Sequence, residues 1–240
     1  MSLRPVGILG GMGPEATILL QQRLMKATPA RDDADHVPLL IDMNPQVPSR
    51  IAHLIEGTGT DPGPVLAAMA RRLETAGAVA LAMPCNTAHH YAPAIRAAVS
   101  VPFLDMIAAS ADTVAARTPK GAAIGVLASP ATRRTGLFER ALAARGRRAL
   151  WPEDMDALLA AIREIKSQGP TDASRAALSR ASGELTARGA ALHLVGCSEF
   201  SLVAEAASTP RLDTVDVLVD AIDAAARGEV RNPSPSPTAQ

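Results

Sequence analysis

Two cysteines occur in the chain, Cys85 in "LAMPCNTAHH" (81–90) and Cys197 in "HLVGCSEF" (193–200). Each closes an apolar run and is followed at once by small or polar residues, Asn86 and Thr87 after the first, Ser198 and Glu199 after the second. Four uses are open to such a thiol. It can pack as a small hydrophobe, the usual fate of free cysteine, but that expects apolar neighbours. It can form a disulfide, which a reducing compartment disfavours. It can bind metal, since Cys85 and His89, like His193 and Cys197, stand four residues apart. His193, however, lies inside a strand-like run. Four strand residues span about 13 Å, too far for two ligands of one zinc ion at about 2.1–2.3 Å each. Last, it can carry protons: a free thiol titrates near about pH 8.5, and polar donors, cations or a helix N-terminus lower that value.

The elements that must position these thiols alternate along the chain. Short apolar runs at 5–11, 37–43, 78–84, 101–106, 121–129, 147–152 and 190–196 read as buried strands. Alanine-rich segments of helical spacing lie between them, at 14–28, 61–77, 132–146, 155–168 and 173–189. Strand followed by helix, repeatedly, predicts an α/β fold with parallel sheets and helices on their faces. The pattern also occurs twice. "LETAGAVALAMPCNT" (73–87) aligns without a gap with "LTARGAALHLVGCSE" (185–199), an offset of 112 residues from Cys85 to Cys197. "GILGGMGPEAT" (7–17) resembles "GVLASPATRRT" (125–135) at 118, from Gly7 to Gly125. Two similar halves follow, 1–105 and 106–213, with a helix over 214–228 packing back on the first and a Pro/Ser-rich tail, 229–240, expected to be disordered.

In open parallel sheets ligands sit beyond the carboxyl ends of the strands. Both cysteines fall there, at equivalent points of the two halves. Across a pseudo-two-fold, the thiols would oppose one another over an inter-domain cleft. A thiolate on one side of a bound carbon can then remove a proton while a thiol on the other delivers one, and proton exchange from opposite faces inverts a stereocentre.

Composition excludes other classes. The chain is 48% hydrophobic and 20% charged, with 2% aromatics and a formal net charge of zero. No basic stripe or aromatic platform is present to hold nucleic acid or an anionic membrane. No signal-peptide core or membrane-spanning run appears, and two cysteines are too few for a disulfide scaffold. A cytoplasmic protein with reduced thiols is expected.

The segments "GILGGMGPEAT", "NPQVPSR", "LETAGAVALAMPCNTAHH", "GVLAS", "REIKSQG" and "GCSEF" together resemble the aspartate/glutamate racemase family, collinearly over about residues 6–228. The resemblance implies a pyridoxal-phosphate-independent, two-cysteine amino-acid racemase with no cofactor and no metal. It also implies two similar α/β domains, an acidic amino acid as substrate, and a homodimer. Cys85 and Cys197 match the catalytic cysteines, and Arg50 the arginine that grips the distal carboxylate, for which its planar fork is suited. Lys166 matches a carboxylate-binding lysine, while Gly11, Met12 and Ser129 match positions close to substrate. Asn86, Thr87 and Ser198 offer an amide, hydroxyls and backbone N–H groups for the α-carboxylate. The chain has Ser198 where threonine is frequent and Phe200 where leucine is frequent. His89 and His90 read most simply as capping or packing residues, and Glu199 as a residue able to tune the second thiol.

Two other readings compete. "GMGPEA" (11–16) fits G-x-G-x-x-A between a strand and a helix, with Asp42 ending the next strand, as in dinucleotide-binding folds. It leaves the repeat and both cysteines unexplained. Related activities on other carboxylates, of maleate isomerase or decarboxylase type, do not need two opposed thiols.

Overall fold

The computed structural model describes residues 3–229. In chain order, β1 (Val6–Gly10), α1 (Pro14–Ala27), β2 (Leu39–Met43), α2 (Gly63–Thr75), β3 (Leu81–Ala82), α3 (Ala92–Arg96) and α4 (Met106–Arg117) make the first part. They are followed by β4 (Ala123–Leu127), α5 (Pro130–Thr135), α6 (Leu137–Ala143), β5 (Arg148–Leu150), α7 (Met155–Gln168), α8 (Asp172–Ala187), β6 (Ala190–Val195), β7 (Arg211–Asp213) and α9 (Thr214–Arg227). The strands form two parallel sheets, β2-β1-β3 and β5-β4-β6-β7. A single parallel bridge from Leu81 to Phe103 stands in the first sheet where β7 stands in the second.

The duplication extends to register. Gly7 lies between Leu40 and Leu81, and Gly125 between Leu150 and His193. A Cβ on Gly7 would meet Leu73 Cβ at 3.1 Å, and one on Gly125 would meet Leu185 Cβ at 3.2 Å. In both halves, then, a leucine of the covering helix packs directly on a bare stretch of the central strand.

The helices that end the two sheets are exchanged. α4 leaves the first sheet, yet Ile107, Ala111 and Val114 pack in the core of the second with Ile124, Val126 and Phe138. α9 leaves the second sheet, yet Val215, Leu218, Val219 and Ile222 pack with Val6, Ile8, Leu20 and Leu24 of the first. The same four-residue signal starts each: Pro102-Phe103-Leu104-Asp105 and Pro210-Arg211-Leu212-Asp213. Asp105 caps α4 by accepting from Ala108 N–H at 3.0 Å, and Asp213 caps α9 by accepting from Val215 N–H at 2.9 Å.

Several elements differ from the sequence-based expectation. The expected helix at 132–146 is split into α5 and α6 by Gly136, whose φ of +65° stops the first at a left-handed cap. The run at 101–106 contributes only its bridge before α4 begins, and 78–84 pairs only at Leu81–Ala82. α4, β7 and a π-helix at Ala52–Glu56 are additions. Of the tail expected to be disordered, residues from 230 on lie outside the described range. Among the described residues no helix is long and apolar enough to cross a membrane.

Candidate active site

Four loops beyond the carboxyl ends of β1, β3, β4 and β6, together with the segment 45–51 and α7, line a cleft of about 690 Å³. Its lining includes Gly11, Met12, Arg50, Cys85, Thr87, Ser129, Lys166 and Cys197, eight of the ten residues singled out in the sequence, and Glu199. Asn86 and Ser198 do not line it and are buried. Asn86 Nδ2 donates instead to Thr214 Oγ1 at 3.0 Å, which donates on to the Val195 carbonyl.

The loop after β1 is built around Gly11. Its φ is +89°, and a Cβ there would lie 2.4 Å from the Asn44 carbonyl carbon. The Gly11 N–H donates to Thr17 Oγ1 at 3.0 Å, which folds the loop over the start of α1. Gly11→Ala adds left-handed strain to a backbone collision, so a loss of about 3 kcal/mol is expected. That would appear as a fall of roughly 6–12 °C in melting temperature. An unchanged melting curve would contradict this packing. The resemblance of 7–17 to 125–135 at a constant offset of 118 holds for the strands but not through the loops that follow them. Gly13 caps α1 and Ser129 caps α5, each before a proline, so the first loop is two residues longer than its counterpart.

Cys85 is held from two directions. The Met106 backbone N–H donates to His89 Nε2 at 3.1 Å, so Nδ1 carries the hydrogen and donates to the Cys85 carbonyl at 2.9 Å. Burial depresses the His89 pKa, which suits a neutral ring in this role. The reading of His89 as a capping residue thus fits its place at the head of α4. Across the cleft, Thr87 Oγ1 lies 2.6 Å from Thr132 Oγ1 and 3.3 Å from Ser129 Oγ. This ties Thr87 to the start of α5, and the Asn86–Thr214 bond ties its neighbour to the start of α9. Thr132 had no signal of its own in the sequence, being one of several hydroxyls in an ordinary helix start.

Cys197 has a different environment. Its thiol donates to Glu199 Oε2 at 3.0 Å, and Glu199 Oε1 is paired with Lys166 Nζ from α7. Burial pushes the Cys197 thiol well above its ordinary range, and the Glu199 carboxylate adds to that shift. Burial opposes the charge on Lys166, but Glu199 outweighs it and the pKa rises. Both cysteines are free and 7% exposed.

Arg50 is a half-buried residue of the cleft lining. Its Nη1 donates to the Val47 and Pro48 carbonyls at 3.2 and 3.0 Å. These bonds leave Nε and Nη2 without a protein partner among the described residues, a free edge of the guanidinium at the cleft. Asp42 is not in the lining: Arg72 holds its carboxylate at 2.6 Å. The strand–loop–helix context of "GMGPEA" is therefore present without an acidic residue aimed at a ribose. His193 lies within β6, 3.1 Å from the Ser182 carbonyl, and no group of three metal-binding side chains occurs among the described residues.

A family model described as Asp/Glu/Hydantoin racemase matches residues 9–222. The broad specificity amino-acid racemase RacX of Bacillus subtilis (strain 168) is 26% identical over 176 residues, covering 70% of this chain and 75% of that protein. Among solved structures, Picrophilus torridus aspartate racemase superposes with a TM-score of 0.84 at 25% identity, over 93% of this chain and 94% of that one. A putative Asp/Glu racemase from Yersinia pestis gives a TM-score of 0.74 at 24% identity, over 94% and 100%.

Proposed function

The chain belongs to the Asp/Glu/hydantoin racemase family, and from that premise we propose that it interconverts the enantiomers of aspartate, with glutamate second, by proton transfer between two cysteines and without a cofactor. The observation that carries this reading is the shared cleft. The chain's two cysteines, from corresponding loops of two matching sheets, line one cavity together with a half-free arginine.

In this scheme one thiolate removes the Cα proton while the other thiol protonates the opposite face. The free edge of Arg50 takes the side-chain carboxylate. Thr87 and Ser129, which line the cleft and are tied to Thr132 behind them, offer hydroxyls to the α-carboxylate as charge develops on the enolate. We place the protein in the cytoplasm, in keeping with its unpaired thiols. A homodimer is supported by exposed Ile18 and Met25 on α1 and Ile41 and Met43 on the edge strand β2.

The test is a chiral assay of the purified protein on D- and L-aspartate and glutamate without added cofactor, run in deuterium oxide. Racemisation with solvent deuterium at Cα is expected. Binding with neither racemisation nor exchange would mean an amino-acid-binding module instead.

A second reading is favoured by Lys166. Because Glu199 already neutralises it, a single guanidinium edge remains for the substrate side chain, and amino acids without a second carboxylate lose little in this cleft. A substrate panel extended to neutral amino acids distinguishes the two.

A further inference from the structure

The two thiols of the cleft are not equivalent. Glu199 is 6% exposed and bridges two groups at once, receiving the Cys197 thiol hydrogen at 3.0 Å on one oxygen and Lys166 on the other. No acidic side chain is hydrogen-bonded to Cys85 among the described residues; its loop is tied through the His89 ring and the threonine hydroxyls instead. The repeat makes the contrast sharp, because Thr87 occupies the place of Glu199 at the offset that relates the cysteines. One half carries a hydroxyl where the other carries a charge.

We propose that Glu199 is a positioning residue that keeps Cys197 in its thiol form, so that the resting cleft has one assigned proton donor and its two faces work unequally. Removing the proton from Cys197 would leave two anions, sulfur and carboxylate, side by side in a buried place. Lys166 from α7 offsets part of that cost but is shared with the carboxylate. The other titratable or charged groups lining the cleft are Cys85, Glu15 at the start of α1 and Arg50. Lys166 occupies the carboxylate's other oxygen, which leaves Oε2 to accept from the thiol. Gly13, whose Cβ would lie 3.5 Å from Lys166 Nζ and 3.7 Å from Glu199 Oε1, leaves room for the pair against the start of α1.

The consequence for reactivity does not depend on the substrate. Thiolate, not thiol, is alkylated, so each cysteine should be labelled along its own pH curve. In the intact protein, iodoacetamide labelling read peptide by peptide should show Cys197 reacting only at the alkaline end. Glu199→Gln keeps the size and an accepting oxygen but removes the charge. It should move the Cys197 midpoint down by at least about one pH unit, near tenfold faster labelling on the rising limb, and leave Cys85 where it was. Should Glu199→Gln fail to fold, Glu199→Asp draws the charge back by one methylene and should move the Cys197 midpoint part of the way. An unmoved Cys197 curve in a folded variant overturns the proposal. So does an equal shift of both cysteines, which would report a general opening of the cleft.

A kinetic counterpart rests on the racemase reading. Of the two directions of racemisation, the one that uses Cys197 as base should gain kcat/KM with rising pH, and Glu199→Gln should shift that rise downward by the same interval. If the protein proves not to be a racemase, the labelling result still stands or falls by itself.

Discussion

Cys85→Ala and Cys197→Ala are each expected to lower racemisation of aspartate by about three to four orders of magnitude, the scale of a lost general acid or base. Racemisation needs both faces, so either deletion is sufficient and the double variant should be scarcely worse than a single one. What survives separates a two-thiol mechanism from mere damage. Each single variant retains one thiol on one side of the cleft. It should still exchange the Cα hydrogen of one enantiomer with solvent deuterium, and the two variants should choose opposite enantiomers. Since the cysteines are buried, the comparison should be repeated with Cys→Ser, which preserves volume. Loss of all exchange in well-folded single variants, or the same enantiomer preference in both, would refute opposed thiols.

Arg50→Ala is expected to reduce kcat/KM for aspartate by about 30- to 4,000-fold, since truncating one partner of a buried hydrogen-bonded charge pair costs about 2–5 kcal/mol and about 1.4 kcal/mol is tenfold. Arg50→Lys restores the charge but not the fork, and should recover only part of that loss. The fold should tolerate both, because Arg50 is half-buried and its bonds within the protein are two contacts to neighbouring carbonyls. The discriminating measurement is the same variant on an amino acid with a neutral side chain. A much smaller loss there assigns Arg50 to the side-chain carboxylate; an equal loss assigns it to the α-carboxylate. Undiminished kcat/KM on aspartate removes Arg50 from the site.

The parallel sheets and the two-fold repetition were legible because they are written in local signals: apolar runs, helical spacing and two aligned cysteine loops. The short pairing segments were not. Residues 211–213 become a strand only because β6 presents an edge to them, and 106–117 lacks the strong apolar stripe of its neighbours, with only alanine and polar residues between Ile107 and Val114. The repeated Pro-x-Leu-Asp would have revealed both. In the site, Cys85 and Cys197 reach one cleft as the repeat suggests, and Arg50 and Lys166 as the family resemblance implies. The pairing of Lys166 with Glu199 depends on how α7 lies against a loop 33 residues away in sequence. Asn86 is adjacent to a cleft cysteine, yet the 3₁₀ turn that begins at Thr87 directs its amide to Thr214 rather than to the cavity.

The exchange of α4 and α9 bears on how such a chain is made. A nascent polypeptide released as far as residue 213 would have its first sheet assembled with Val6, Ile8, Leu20 and Leu24 only partly covered, because α9 is synthesised after the whole second sheet. The ribosome therefore delivers the closing piece of the earlier-made layer only after the later sheet. A polypeptide cut before α9 would display a greasy face, and expressing either half by itself would strand a helix whose home is in the other.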